Sequence, residues 1–167
     1  MEIKLTLALP RDGLSVPAAR RVLTSSLSVL GVDADVISDV GVALSEACSN
    51  VVDHAANGDE YEVSVGVRGN ECVIEVFDTG GGFDASAEGL ADAANNAESG
   101  RGIQLMRALV DRVSFRRHFD DGTVVHLEKR LTWDVGSVIG RLTDGQPPIR
   151  HGPWSGEDLP GKARGLH

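Results

Sequence analysis

The chain has 167 residues, 25 acidic and 16 basic side chains, and therefore a formal net charge of −9. This length fits one domain with a buried core and a short appendage, and the acidity disfavours proteins that hold nucleic acid or anionic membranes through bulk positive charge. No segment approaches the roughly 18 apolar residues of a membrane-spanning helix, and two cysteines are too few for a disulfide framework. We therefore expect a cytoplasmic protein without direct contact to nucleic acid or membrane.

The first third of the chain predicts one strand and two helices. Apolar and polar residues alternate over residues 3–9, which is typical of a half-buried strand. A helix is predicted from Ser15 until Gly31 stops it, and a longer helix from Asp33 to about Ala56. The inward positions predicted for the two helices are Ala19, Val22, Leu23, Leu27 and Leu30, then Val36, Val40, Ala43, Leu44, Ala47 and Val51.

The middle of the chain predicts two pairs of strands and a third helix. Turn sequences at Gly69-Asn70 and Asp121-Gly122 separate alternating segments, as in hairpins. The third helix begins near Gly102 and has apolar residues at Ile103, Met106, Leu109 and Val110. Helices on one side and hairpins on the other predict an α+β fold, arranged as a two-layer α/β sandwich. The predicted strands of the two pairs cover residues 61–67, 72–77, 112–119 and 123–129.

The composition changes near residue 132. Residues 133–167 hold 7 of the 20 glycines and 4 of the 6 prolines, without apolar periodicity. This pattern predicts a domain over residues 1–132 and a flexible tail over residues 133–167. Loose packing of the tail is favoured over docking of its apolar residues, which are Trp133, Val138, Ile139 and Trp154.

Three short elements carry polar residues that fit chemistry. Glu46, Asn50 and His54 follow one stripe of the long helix at i, i+4 and i+8. Because the flanking positions are core-like, the stripe borders or enters buried territory, although a solvated helix face is the favoured explanation of this element taken alone. The remaining histidines, interpreted as structural or solvent-facing, are His118, His126, His151 and His167.

The other two elements are rich in glycine. Residues 78–82, Asp-Thr-Gly-Gly-Gly, follow a strand, so the carboxylate can accept a hydrogen bond from an exocyclic amine while glycines let backbone approach a flat ligand. Gly100-Arg101-Gly102 opens a helix, where free N–H groups can meet phosphate. A plain turn and chance occurrence explain these elements taken singly. P-loop and zinc-ligand spacings are absent from the sequence.

Order and context make the three elements specific together. Glu-x-x-x-Asn on a long helix, Asp-x-Gly-x-Gly after a strand and Gly-x-Gly opening a later helix form the motif series of the GHKL ATPases, which the sequence resembles over about residues 3–130. Segments 44–55 and 100–106 most resemble the bacterial anti-sigma-factor serine/threonine protein kinases. The resemblance implies a sandwich of the GHKL (Bergerat) ATP-binding type, with ATP and Mg²⁺ as cofactors.

The resemblance also implies roles for single residues. Glu46 is expected to act as general base on the substrate hydroxyl, and Asn50 to coordinate the Mg²⁺ that bridges the nucleotide phosphates. Asp78 is expected to recognise the adenine amino group. We add Arg101 as a phosphate contact because of its place in the sequence. The glycines expected to let a lid fold over the phosphates are Gly80, Gly82, Gly100 and Gly102.

Partners follow from the same resemblance. Family members phosphorylate a serine of an anti-anti-sigma (STAS) protein, bind a sigma factor and usually dimerise, so we expect these partners and a homodimer here. Arg20 matches a partner-contacting arginine of the first helix, while a snorkelling surface residue is the equally favoured alternative.

The sequence departs from an efficient kinase in one respect. The presumed lid, residues 83–100, contains four acidic residues and no Lys or Arg, so its negative charge repels a triphosphate. This favours slow or conditional turnover, and it favours the alternative of a nucleotide-binding partner-switch or anti-sigma module with little or no kinase activity. A detached histidine-kinase catalytic domain is a weaker alternative, because the first helix has no histidine. The acids of the lid are Asp84, Glu88, Asp92 and Glu98.

Overall fold

Within the described residues, five strands and three helices form two layers, in agreement with the α+β fold predicted from the sequence. The computed structural model describes residues 2–54, 59–78, 99–117, 123–135 and 137. The elements in chain order are β1 (Glu2–Pro10), α1 (Ser15–Leu30), α2 (Ala34–His54), β2 (Glu60–Arg68), β3 (Glu71–Asp78), α3 (Ser99–Leu109), β4 (Arg112–Arg117) and β5 (Thr123–Arg130). None of the helices in the described ranges is long and apolar enough to cross a membrane.

The strands form one antiparallel sheet in the order β1-β2-β3-β5-β4. Because side chains alternate across a strand, one face of the sheet carries the core residues of all its central strands and packs against the helices. We call this the inner face, and the opposite one the outer face. The fully buried core residues of the inner face include Tyr61, Val63, Ile74, Val76 and Leu127.

The helical layer follows the predicted apolar positions closely. On α2 the predicted inward residues are buried or packed against the core, and Cys48 joins them. On α3, Ile103 and Met106 are buried as expected. The prediction for Val22 of α1 is wrong, since 40% of this residue is exposed. Its neighbours Ala19 and Leu23 already fill the space between α1 and the core.

The turn between α1 and α2 is closed by a left-handed glycine. Gly31 has φ +81° and donates its N–H to the Ser28 carbonyl oxygen, while the Val32 N–H donates to the Leu27 carbonyl oxygen. This paired arrangement is the Schellman motif, in which glycine avoids the steric cost of a side chain at positive φ. The predicted stop at Gly31 is therefore confirmed, and it fixes the angle at which α2 leaves α1.

The chain after β5 returns to that turn. Trp133 pairs with Val32 in an isolated bridge and packs against the core. The Asp33 N–H donates to the Thr132 carbonyl oxygen at 3.0 Å. Trp133 therefore docks on the domain, because strand-like hydrogen bonds hold its backbone. The sequence had favoured loose packing of this residue. Of the predicted tail 133–167, only residues 133–135 and 137 lie within the described ranges, and the predicted boundary at residue 132 stays a prediction.

Candidate functional site

The predicted polar stripe lies on the C-terminal half of α2. Glu46 and Asn50 are one turn apart, and both are half-buried, whereas Ala47 and Val51 on the neighbouring positions belong to the core. The stripe thus borders the core, as the sequence indicated, because α2 turns its apolar face to the sheet. His54 ends α2, and its side chain lies outside the described residues.

The first turn of α3 lies directly against this stripe. A Cβ added to Gly102 would stand 2.9 Å from Glu46 Oε2 and 3.6 Å from Asn50 Oδ1. Contacts below 3.0 Å are essentially never seen for real Cβ atoms, so a side chain at this position would displace the Glu46 carboxylate. Glycine therefore lets the α3 backbone approach the carboxylate closely without moving the Glu46 side chain. The structure brings Gly102 together with Glu46 and Asn50, which precede it in the chain by 56 and 52 residues.

At this site, hydrogen-bond acceptors of α2 face the N-terminus of α3. The first N–H groups of a helix lack partners within it and carry a partial positive charge. α3 begins at Ser99, three residues before the predicted start, so Gly100, Arg101 and Gly102 lie within its first turn. Within the described ranges, neither the Glu46 carboxylate nor the Asn50 amide has a side-chain hydrogen bond or ion pair. Such a site can receive a cation or a polar ligand.

The other predicted nucleotide-contacting residues stand as follows. Gly100 is buried and Arg101 is exposed. Asp78 ends β3 and its backbone is in register with Tyr61, whose hydroxyl reaches α1. The Asp78 side chain lies outside the described residues, as do Gly80, Gly82 and the acidic lid segment, so the structure leaves their predicted roles as predictions.

Arg20 belongs to α1 and lies against the side of α2 that is opposite to the Glu46–Asn50 stripe. It is exposed, and its Nε would be 3.3 Å from a Cβ added to Gly41, so the guanidinium stem rests on α2. Thr24 approaches the same glycine even more closely, with its methyl group at 2.9 Å from that position. The partner-binding role predicted for Arg20 is open, because an exposed arginine along a helix also fits the snorkelling alternative.

A buried polar contact links α1 to β2 beside Cys48 of α2. Ser15 Oγ lies 2.7 Å from Tyr61 Oη, and Ser15 also donates to the Asp12 carbonyl oxygen at 2.7 Å. Burial raises the pKa of Tyr61 to about 12 and that of the neighbouring Cys48 to about 12. Cys48 and Cys72 are free, as the low cysteine count indicated. Both are also buried, and their protonated thiols behave as apolar core groups.

Two polar contacts were not predicted from the sequence. Lys129 Nζ bonds Asp39 Oδ2 at 3.0 Å and the Leu109 carbonyl oxygen at 2.6 Å. His126, Glu75 and Glu128 form a cluster on the outer face of the sheet. The sequence contains one indication of the Lys129 contact. Side chains alternate between the two faces of a strand, so Lys129 lies on the same inner face as the two core residues that precede it in β5. It must therefore find polar partners among the helices.

Comparison with known families matches these observations. The family described as the histidine kinase-like ATPase domain matches residues 9–129, which include every described residue of the site. The chain therefore belongs to the histidine kinase-like ATPase domain family. The identification made from the motif series is thus confirmed, and the domain is one that binds ATP.

The relatives narrow the class. The chain is 35% identical to the serine-protein kinase RsbW of Bacillus licheniformis over 123 residues, covering 67% of this chain and 76% of that protein. It is 31% identical to the serine-protein kinase RsbW of Listeria monocytogenes over 142 residues, covering 78% and 89%. The predicted enzyme class, an ATP-dependent serine/threonine protein kinase, is confirmed at the level of the family.

A solved structure agrees on the fold. The RsbU and RsbW domains of a Mycobacterium tuberculosis protein superpose with a TM-score of 0.60 and 23% identity, over 77% of this chain and 32% of that one. Together with the family match, this confirms the predicted sandwich of the GHKL type.

Proposed function

We propose that the protein transfers the γ-phosphate of Mg-ATP to a serine of an anti-anti-sigma (STAS) protein and binds a sigma factor, so that phosphorylation switches its partner in the cytoplasm. One observation carries the catalytic part of this proposal. It is the Glu46 carboxylate and the Asn50 amide oxygen side by side at the first turn of α3. A carboxylate, an amide oxygen and a helix N-terminus together suit a nucleotide triphosphate with its metal ion.

The residues present fit a magnesium ion. Asn50 supplies a hard oxygen ligand, and the space beside it is open because Gly102 has no Cβ. Among the described residues, no group of three or more His, Cys, Asp or Glu side chains forms a metal cage. This agrees with the usual habit of Mg²⁺, which takes one or two protein ligands and draws the others from phosphates and water. When bound, Mg²⁺ neutralises phosphate charge, which an acidic lid makes necessary.

Glu46 is proposed as the general base. Its carboxylate borders the core, and it faces the α3 terminus where the phosphates are proposed to bind. From there it can accept the proton of the attacking serine hydroxyl, a contribution of about 10²–10⁴ in rate. Asp78 is proposed to bind the adenine amino group, as the family's motif series implies, and Arg101 a phosphate, because it lies in the first turn of α3. The glycines proposed to let a lid fold over the phosphates are Gly80, Gly82, Gly100 and Gly102.

The partner-binding part depends on Arg20. It is exposed on α1, on the side of α2 that faces away from the nucleotide site, so a protein partner can contact it without entering the site. We propose that a homodimer presents this surface. The kinship with serine-protein kinases supports a protein substrate.

The first experiment measures binding and transfer separately. Isothermal titration with ATP, with and without Mg²⁺, is followed by incubation with labelled ATP and purified STAS proteins of the same genome. We expect Mg²⁺-dependent binding and label on a single serine. Binding without transfer to any STAS protein would favour the alternative, a nucleotide-binding partner-switch module, for which the acidic lid argues. The absence of any ATP binding would contradict both.

A further inference from the structure

Two contacts join α2 and α3 at opposite ends of one interface. At one end, Gly102 of α3 lies against Glu46 of α2. At the other end, Lys129 of β5 bonds Asp39 of α2 and the carbonyl oxygen of Leu109, the last residue of α3. The first contact belongs to the proposed catalytic site, and the second is outside it.

The spacing of these contacts is the same on both helices. Seven residues separate Asp39 from Glu46, and seven separate Gly102 from Leu109. Seven residues make nearly two full turns, so both contacts fall on one stripe of each helix, about 10.5 Å apart. Because the start of α3 meets the later residue of α2, the two helices run antiparallel and the contacts are the two ends of a single seam.

Lys129 is held in this position by both of its partners. It stands on the inner face of β5, and only 17% of its side chain is exposed. Its ammonium group neutralises the Asp39 carboxylate and at the same time binds a carbonyl oxygen at the negative end of α3. A buried ammonium requires such partners, since leaving it unpaired is costly. The contact therefore defines where the last turn of α3 sits along α2.

We propose that Lys129 is a positioning residue, which fixes the axial register of α3 on α2 and through it the distance between the Glu46 carboxylate and the first turn of α3. The inference rests on the proposed function for its effect on the reaction. An α-helix of 11 residues transmits a shift of its last turn to its first. At Gly102 the two helices approach closely, since an added Cβ would stand only 2.9 Å from Glu46 Oε2, so a shift of α3 along α2 changes the distance between the carboxylate and the first turn of α3.

The test replaces the ammonium while keeping the hydrocarbon stem. Lys129→Met removes both polar bonds, Lys129→Arg restores charge and donors, and Arg68→Met is the matched control. Arg68 forms a 2.7 Å ion pair with Glu2 on β1 and β2, remote from α2 and α3. Each variant is assayed at saturating Mg-ATP, well below its melting temperature, and kcat and KM for phosphotransfer are determined separately.

We expect Lys129→Met to lower kcat about 10- to 100-fold, which is the loss that a misplacement of about 1 Å produces. Lys129→Arg is expected to recover most of that loss, and Arg68→Met to leave kcat unchanged. A Lys129→Met variant with a lower melting temperature but wild-type kcat would overturn the proposal, since it would leave Lys129 a purely structural role.

A second readout does not depend on catalysis. Amide hydrogen exchange of residues 103–106, which close the first turns of α3, is measured without nucleotide in the wild type and the three variants. We expect exchange there to be at least about tenfold faster in Lys129→Met, with β3 unaffected. If the wild type transfers no phosphate, the proposed function fails, while faster exchange still supports the register role and unchanged exchange overturns it.

Discussion

Among the described residues, two groups of polar side chains have opposite surroundings. On the outer face of the sheet, His126 Nδ1 lies 2.9 Å from Glu75 Oε1 and His126 Nε2 lies 2.9 Å from Glu128 Oε1. We call these three residues the outer cluster. On α2, Glu46 and Asn50 form an acceptor pair, which has no side-chain partner within the described ranges.

The difference separates a structural group from a binding group. In the outer cluster both ring nitrogens of His126 have carboxylate partners and only 2% of this side chain is exposed, so a ligand has little to add. The acceptor pair is half-buried and faces a helix N-terminus, and no side chain of the described residues satisfies it, so a ligand can add hydrogen bonds or coordination there. Of these two groups, therefore, the acceptor pair fits a ligand site.

The largest expected effect comes from the carboxylate of the pair. Glu46→Gln removes the proposed base but keeps the shape, so we expect phosphotransfer to fall about 10²–10⁴-fold while the affinity for Mg-ATP changes little. Single-turnover transfer and calorimetric titration measure the two quantities. Undiminished phosphorylation would exclude Glu46 from its proposed role.

The amide of the pair is the next test. Asn50→Ala removes the proposed metal ligand, so we expect nucleotide affinity to fall about 10- to 100-fold in Mg²⁺ and to match the wild type in EDTA. Titration under both conditions measures the change. An affinity that is equal in Mg²⁺ for the variant and the wild type would contradict the metal assignment.

A third prediction uses the close approach at Gly102. Gly102→Ala places a methyl group against the Glu46 carboxylate, and we expect about tenfold slower transfer because the base is displaced. Gly41→Ala is the control for helix packing, since its Cβ would meet Thr24 and Arg20 at similarly short distances on the other side of α2. Both variants are assayed at saturating STAS protein, so that a weakened partner contact of Arg20 changes KM and not kcat. Equal losses of kcat in both variants would show that helix packing alone is responsible.

The smallest effect concerns the outer cluster and acts on stability. Burial by itself lowers the pKa of His126, but hydrogen bonds to Glu75 and Glu128 outweigh it, and the pKa lies above the usual 6.5. Its stabilisation is thus fully present below pH 6.5 and is lost as pH rises through the raised pKa. Urea unfolding across this range should show that fall in the wild type and not in His126→Gln. Parallel pH profiles for both proteins would show that His126 is not the responsible group.

Sequence patterns predicted the fold well because the hydrophobic periods are strong. The alternation in β2 and β5 and the helical stripe of α2 fix which faces are buried, and the motif series identified Glu46 and Asn50. The contact of Gly102 with Glu46 was not predictable in detail, because it depends on how closely two helices pack. The outer cluster was also missed, since His126 looks isolated until β3 and β5 are in register.

Phosphotransfer from labelled ATP by the wild type and by Glu46→Gln, with the same STAS protein and Mg²⁺, tests the role of the acceptor pair most directly. We expect one labelled serine with the wild type, almost none with the variant, and equal Mg-ATP binding by both. Equal labelling by the two proteins, or a wild type that binds no Mg-ATP, would contradict it.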